Sequence, residues 1–287
     1  MLRLFLLTAL VLLGMTPAVH AAEPDLPDTT DTPAGPPAEA AKPDPDDPDI
    51  GLLRTLAADS DPRIRAAVAG RADVPPDLLA QLARDPVWQV RAAVARNART
   101  PDDARRRLAR DSQAAVRAAV AGSAKPPATL QKGLAEDPQS EVRAALAENP
   151  TAGAELIRRL ARDKDADVRR ATAANPKAPG DVLELLAGDK EMPVRCAVGR
   201  NPFAPDAMLR HLAADERYEV RANVAGNPRA PADLLRLLAT DEKPFVRKAL
   251  AANPAVPLDV LRGLSDDDDA AVAAQARTSL RKRGQRP

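Results

Sequence analysis

A pattern of 26 residues returns along most of this chain without an insertion or a deletion. Leucine occupies one column of the pattern, at Leu56, Leu82, Leu108, Leu134, Leu160, Leu186, Leu212, Leu238 and Leu264. We number the repeats 1 to 9 by these leucines. Self-similarity at a period of roughly 20 to 50 residues predicts a solenoid, because each unit buries its apolar face only against its neighbours.

Each repeat carries two helix signals. In repeat 8, the apolar residues between Leu234 and Ala239 fall at i, i+1, i+4 and i+5, which places them on one face of a short helix, helix A. From Val246 to Asn253 the spacing i, i+3, i+4, i+7 predicts a second helix, helix B. Pro254 disfavours helical geometry at the residue before it, so helix B should end there. The unit is therefore helix, turn, helix and Asn-Pro turn.

The amino-terminal region precedes the repeats and divides into two parts. Residues 1–21 combine Arg3, a short apolar run and small residues up to Ala21, the pattern of a secretory signal peptide. Residues 22–51 are rich in Pro, Asp, Ala and Thr without apolar periodicity, which predicts a disordered acidic linker. The repeat array, with a carboxy-terminal cap and a basic tail, should cover residues 52–287. We expect a periplasmic or secreted bacterial protein with no membrane span after cleavage.

Charge is distributed unevenly between linker and array. Residues 22–51 contain nine acids and one base, whereas the array carries 40 basic and 32 acidic residues, a net charge of about +8. The whole chain has a formal net charge of only +1. The linker either screens a basic surface or is a solvated spacer, and the array could bind a polyanion or the cell envelope.

The repeat core resembles two known families. The segment from Leu160 to Arg169, LARDKDADVR, is similar to HEAT and HEAT-like repeats. The turn from Asn227 to Pro231, NPRAP, resembles the bacterial leucine-rich repeat variant family. The resemblance implies an all-α fold, a right-handed α-solenoid of about nine 26-residue helix-turn-helix repeats. The founding type of the variant family carries a cysteine cluster for an iron-sulfur centre; Cys196 is the one cysteine here, so we expect no cofactor.

Residues suited to catalysis are scarce. Beyond the signal peptide the chain has one histidine, His211, and one thiol, Cys196, so a His/Cys metal cluster and a Ser-His-Asp or Cys-His pair are excluded. Cys196 stands in a column that is mostly alanine, which favours a small helix residue over a reactive thiol. We therefore expect a non-catalytic scaffold. HEAT-like lyases and DNA glycosylases are the enzymatic alternative, and the signal peptide argues against a nucleic-acid partner.

Two charged columns predict a structural ladder. Aspartate recurs three residues after the leucine, at Asp59, Asp85, Asp111, Asp137, Asp163, Asp189, Asp215, Asp241 and Asp267. Arginine recurs within helix B, at Arg65, Arg91, Arg117, Arg143, Arg169, Arg195, Arg221 and Arg247. We expect each aspartate to accept backbone N–H bonds at the start of helix B and to contact an arginine of its own or the adjacent repeat.

The variable columns of helix B predict where a partner binds. They give mostly Ala or Gly but hold larger side chains in particular copies, at Trp88, Arg96, Arg170, Met192, Arg200, Tyr218, Phe245 and Lys248. In HEAT-like arrays this face lines the concave side. Aromatic and arginine side chains often anchor interfaces, so we expect a monomer that binds a protein or peptide mainly on repeats 5 to 8. The alternative is that each ring packs as a staple over the start of its own helix B.

Overall fold

The described residues form nine helix pairs. A computed structural model describes residues 48–124 and 126–285, and no strand occurs among them. The helix-A members are α1 Pro48–Ala57, α3 Pro76–Leu82, α5 Asp102–Leu108, α7 Ala128–Leu134, α9 Ala154–Leu160, α11 Gly180–Ala187, α13 Asp206–Leu212, α15 Ala232–Leu238 and α17 Leu258–Leu264. The helix-B members are α2 Pro62–Ala69, α4 Trp88–Arg96, α6 Ala114–Ala121, α8 Ser140–Glu148, α10 Ala166–Ala174, α12 Met192–Arg200, α14 Tyr218–Ala225, α16 Pro244–Ala252 and α18 Ala270–Lys282. The predicted all-α repeat fold is confirmed.

Proline and asparagine set the helix boundaries. Pro231 lies immediately before α15 in an extended conformation, where its missing N–H leaves no helical hydrogen bond unmade. Asn253 is the C-cap of α16 and is also extended, as expected for a residue that precedes proline. Helix A begins and helix B ends at these two columns in most repeats, so the helix boundaries recur with the 26-residue period.

The described residues divide into two compact units, which meet between residues 116 and 117 of the chain. In the second unit, helix B of each repeat packs along helix B of the next, from α8 to α18, while the helices A contact one another less. One apolar core runs through that unit and includes Leu183, Leu209 and Leu235, the leucines of one helix-A column. In the first unit, α2 packs against α4 and α1 packs against α2 and α3. Each unit is thus a stack of helix pairs.

The amino-terminal limit of the array lies earlier than the sequence pattern places it. Helix α1 begins at Pro48, so residues 48–51 are helical, and Ile50 is buried. The predicted signal peptide and the linker as far as residue 47 lie outside the described residues.

Candidate partner-binding surface

An Asp/Arg ladder connects consecutive repeats within each unit. Each arginine reaches the aspartate of the following repeat, with Nε–Oδ2 distances of 2.6–2.7 Å and Nη2–Oδ1 distances of 2.8–3.1 Å. The pairs are Arg65–Asp85, Arg91–Asp111, Arg117–Asp137, Arg143–Asp163, Arg169–Asp189, Arg195–Asp215, Arg221–Asp241 and Arg247–Asp267. Asp59 is the first of its column and accepts the Asp61 N–H instead.

Each ladder arginine also holds the turn of its own repeat. Arg169 donates from Nη1 to the carbonyls of Asp163 and Lys164, at 2.9 and 3.2 Å. Its partner Asp189 accepts the backbone N–H of Glu191, the N-cap residue of α12, at 2.9 Å. The guanidinium therefore fixes the turn before α10 and the turn before α12 together. A bidentate, charge-assisted contact of this kind has a defined geometry as well as a favourable energy.

The ladder carboxylates are held in the ionised state. Burial by itself raises the pKa of Asp189, but the hydrogen bonds from Arg169 and from the Glu191 N–H outweigh it, so the pKa lies below its ordinary value of 3.8. The pKa values of further ladder aspartates are lowered by the same balance, at Asp85, Asp137, Asp163, Asp215 and Asp241. The ladder aspartates are thus paired as carboxylates with the ladder arginines.

A second row of buried contacts, the asparagine row, runs along the ends of the helices B. Asn227 donates from Nδ2 to the carbonyls of Gly199 and Asn201 in the preceding repeat, at 2.8 and 3.0 Å, and its Oδ1 accepts the Arg229 N–H. The same three contacts recur at Asn97, Asn149, Asn175, Asn201 and Asn253. Sequence reasoning treated these residues only as turn formers. Their strict recurrence every 26 residues was the signal that they also join repeats.

Arginine substitutes for the missing amide where the asparagine row is interrupted. In repeat 9, Ser279 replaces asparagine and bonds the Ala251 carbonyl, while Arg283 donates to the carbonyl of Asn253 at 3.0 Å. In repeat 3, which has serine in this column, Arg105 replaces a core leucine and donates to the Asn97 and Ala98 carbonyls. These irregular positions therefore have structural roles.

The surface of the helices B in repeats 5 to 7 forms an open groove of about 580 Å³. Its lining comes from α10, α12, α14 and the turn after α12. Met192, Cys196 and Ala197 form its apolar part, and the charged residues of the lining are Arg170 and Arg200. The structure thus brings three of the predicted partner-binding residues, Arg170, Met192 and Arg200, to one place.

The two groove arginines, Arg170 and Arg200, lack the bidentate aspartate contacts that the ladder arginines make. Arg170 makes one long contact, 3.4 Å from Nε to the exposed Asp167 carboxylate. Arg200 is exposed and has no hydrogen-bond or ion-pair partner for its side chain among the described residues. Both guanidinium groups can therefore bind an external anionic group without breaking a buried pair.

Cys196 lies in the groove wall as a protonated thiol. Burial raises its pKa, and the charges of Glu219 and Asp215 act in the same direction. Its Sγ is 3.4 Å from the Met192 Sδ. A thiol whose pKa is raised is a poor nucleophile at neutral pH.

Tyr218 and Phe245 meet on adjacent helices B, α14 and α16. Their ring centroids are 5.7 Å apart with an interplanar angle of 78°, an edge-to-face contact. Tyr218 is 37% exposed and Phe245 is 59% exposed, so the pair presents a large apolar area to solvent. Lys248 is exposed on the same helix as Phe245.

Trp88 and Arg96 are both exposed on α4 and belong to the first unit. Five other large apolar side chains are exposed among the described residues and have no predicted role in binding: Leu52, Leu185, Phe203 in the turn after α12, Leu237 on α15 and Leu258. Phe203 departs from a column that holds Arg99, Thr151, Lys177 and Arg229 in other repeats, and that departure is a signal that could have identified it.

The described part of the chain comprises residues 48–124 and 126–285. No group of three or more His, Cys, Asp or Glu side chains there is arranged to hold a metal ion. No helix in this part of the chain has the length and apolar character to cross a bilayer.

Comparison with known proteins identifies the repeat type. A family model described as leucine rich repeat variant matches residues 88–113, 166–191 and 218–243. A solved structure described as a leucine-rich repeat variant with a novel repetitive structural motif is 29% identical, with a TM-score of 0.53 over 78% of this chain and 88% of that chain. Two engineered proteins of known structure, 16% and 18% identical, give TM-scores of only 0.30 and 0.25, although each comparison covers 83% of this chain and 89% or 98% of the other.

No curated protein matches the chain significantly. Each segment that the family model matches is 26 residues long, in agreement with the period of the sequence. Three repeats of this chain thus match the leucine rich repeat variant family, and the described array is similar in fold to a solved structure of that type.

Proposed function

We propose that the mature chain is a non-catalytic, exported scaffold that binds a protein or peptide on the helix-B face of repeats 5 to 8. The observation that carries this proposal is the groove between Arg170 and Arg200, on the face that also holds the exposed Tyr218–Phe245 pair. A volume of about 580 Å³ is in the usual range for a binding site. Aromatic and arginine side chains are enriched among the residues that dominate binding energy.

The helix-B face is available to a partner because the ladder, asparagine and core columns already make contacts within the protein. The ladder arginines and aspartates bond each other, the asparagines bond backbone carbonyls, and the leucines fill the core. Substitutions in the remaining helix-B columns can change what is bound without changing the stack.

A catalytic role has less support. The groove contains Cys196 but no histidine, and the raised pKa of the thiol leaves it protonated at neutral pH. Polyanion binding has one supporting observation, the net charge of about +8 on the array. Much of the exposed positive charge on the helix-A side is nevertheless paired, for example in Arg210–Asp233 and Arg236–Asp259.

Site-specific photo-crosslinking tests the proposed face. A photoreactive amino acid is placed either at Phe245 on α16 or at Leu237 on α15; these side chains belong to the same repeat and are 59% and 64% exposed. We expect a discrete crosslinked product from position 245 in the cell envelope and none from position 237. Crosslinking from position 237 alone would place the partner on the helix-A side and refute the proposal.

Export is tested separately by amino-terminal sequencing of the mature protein. The signal-peptide pattern of residues 1–21 predicts a first residue of Ala22. Recovery of the chain from the periplasm or medium with Met1 intact would contradict cleavage, and its absence from both would contradict export.

A further inference from the structure

We propose that the groove of repeats 5 to 7 takes an extended acidic peptide, with one apolar side chain over Met192 and Cys196 and carboxylates on Arg170 and Arg200. The inference rests on the proposed function and specifies the chemistry of the partner. It follows from the charge of the groove lining and from the state of its two arginines.

The groove lining is positively charged as a set. Arg170 and Arg200 are its charged members, and no Asp or Glu lies in the lining. The nearest competing carboxylate that contacts either arginine is the exposed Asp167, 3.4 Å from Arg170. A basic ligand would therefore meet two like charges, whereas an acidic ligand gains two ion pairs.

The neighbouring groove of repeats 4 and 5 provides the contrast. That groove, of about 560 Å³, is lined by Arg143, Arg159 and other bases, but also by Glu136 and the ladder aspartates. Arg143 is bonded to Asp163, and Arg159 lies 3.0 Å from Glu136. Two of its four bases are therefore paired, and three acids line it with them, whereas the groove of repeats 5 to 7 is lined by two bases and no acid.

The apolar part of the groove sets the second requirement. Met192 and Cys196 lie one helical turn apart on α12, with their sulfur atoms 3.4 Å apart. A thioether adapts its shape to different apolar side chains, so this position favours an aliphatic or aromatic residue without selecting one. Arg170 on α10 and Arg200 on α12 line the same groove, so in the proposed complex they bind carboxylates that neighbour this apolar residue in the peptide.

The two asparagine side chains that line the groove differ in their capacity to bind a peptide. Asn201 also lines the groove, but both of its amide N–H groups are bonded to the Ala173 and Asn175 carbonyls, and its Oδ1 accepts the Phe203 N–H. Asn223 donates one N–H to the Glu219 carbonyl and keeps further hydrogen-bonding capacity. Specificity therefore depends chiefly on the two arginines, with Asn223 as a supporting contact to an extended backbone.

Selection from a library of random peptides displayed on phage tests the inference with the mature full-length protein. We expect enriched peptides to share an apolar residue flanked on both sides by Asp or Glu. The affinity of the best peptide, measured by fluorescence anisotropy, should fall about tenfold in the Arg170→Gln, Arg200→Gln double variant. The control removes the same charge from the helix-A side, through Arg210→Gln with Arg236→Gln, and should bind as the wild type does.

The outcomes separate the inference from the proposed function. Neutral or basic enriched peptides whose binding is lost in Met192→Glu would overturn the acidic ligand while leaving peptide binding on this face intact. Equal loss of binding in the two double variants would show a general effect of net charge and overturn the groove assignment. Absence of any enriched peptide, with crosslinking still observed from position 245, would overturn the inference alone.

Discussion

Replacing Asn227 with alanine should destabilise the second unit by about 3 kcal/mol. The side chain has no exposed surface and makes three hydrogen bonds, to the carbonyls of Gly199 and Asn201 and from the Arg229 N–H. A typical intramolecular hydrogen bond contributes about 1 kcal/mol, and a buried carbonyl left without a donor costs at least that much. The loss is concentrated at the junction of repeats 6 and 7, because Asn227 belongs to the end of α14 and its acceptors to the end of α12.

Asn223 provides a matched control four residues earlier, within α14. It is half-buried, donates a hydrogen bond to the Glu219 carbonyl of its own helix, and stands in a column that holds Ala197 and Ala249 in the adjacent repeats. Asn223→Ala should therefore change stability by less than about 0.5 kcal/mol, since alanine is the better helix former. The comparison keeps the substitution identical and changes only the position.

Urea unfolding followed by far-UV circular dichroism measures both variants. The account predicts a clear fall in the midpoint for Asn227→Ala at an unchanged slope, and a midpoint near that of the wild type for Asn223→Ala. Equal midpoints for the two variants would refute the reasoning, because the asparagine row would then contribute no more than a surface amide.

Three further predictions concern the ladder and the cap. Arg169→Ala leaves Asp189 buried without its guanidinium and should lower the free energy of unfolding in urea by about 3 kcal/mol. Arg170→Ala, at the adjacent half-exposed position, should leave that free energy nearly unchanged, and equal effects of the two substitutions would contradict a structural ladder. The pKa of Asp189 and of other ladder aspartates is lowered in the folded protein. The stability that these groups contribute is therefore fully present above the unfolded pKa of about 3.9 and is lost as pH falls through the folded values. An acid-unfolding series should show stability declining below about pH 4, and a flat series would contradict this. Arg283→Ala removes the donor to Asn253 and should raise amide hydrogen exchange in α18 while leaving α10 unchanged; unchanged exchange in α18 would contradict a capping role.

The sequence predicted the elements that depend on local chemistry and on the period. Leu234 and Leu235 mark helix A, Val246 and Leu250 mark helix B, and Asn253 before proline marks its end; all agree with the structure. A strict period also predicts which columns face each other in successive repeats. For that reason a contact between Asp and Arg of adjacent repeats could be expected before any coordinates were known.

Other features depend on distances that a period does not supply. Asn227 was read as a turn former because asparagine favours turns; that its amide reaches two carbonyls of the preceding repeat depends on the spacing of stacked helices. From the sequence, Arg283 is one of several bases in a basic tail. Its hydrogen bonds to the Val256 and Asn253 carbonyls could not be predicted, because they depend on where α18 ends. The groove also required coordinates, since it unites Arg170 of one repeat with Arg200 of the next.

The alternative for the aromatic residues was a staple within each repeat. Tyr218 makes a ring contact with Phe245 of the following repeat, and both rings keep substantial exposure. An edge-to-face pair contributes about 0.5 to 1.5 kcal/mol beyond its buried area, so the pair has some structural value whatever else it does. Binding and stability must therefore be measured on the same variant.

The most direct test of the central claim is the Tyr218→Ala, Phe245→Ala double variant, with partner capture and melting temperature measured on one preparation. The account predicts that capture by the mature protein falls at least about tenfold, as expected for loss of two interface anchors. The melting temperature should fall only slightly, because the rings lie outside the apolar core of the unit. A protein that loses several degrees of stability but captures the same amount of partner per folded molecule would contradict the account, because the rings would then stabilise the stack and the partner would bind elsewhere.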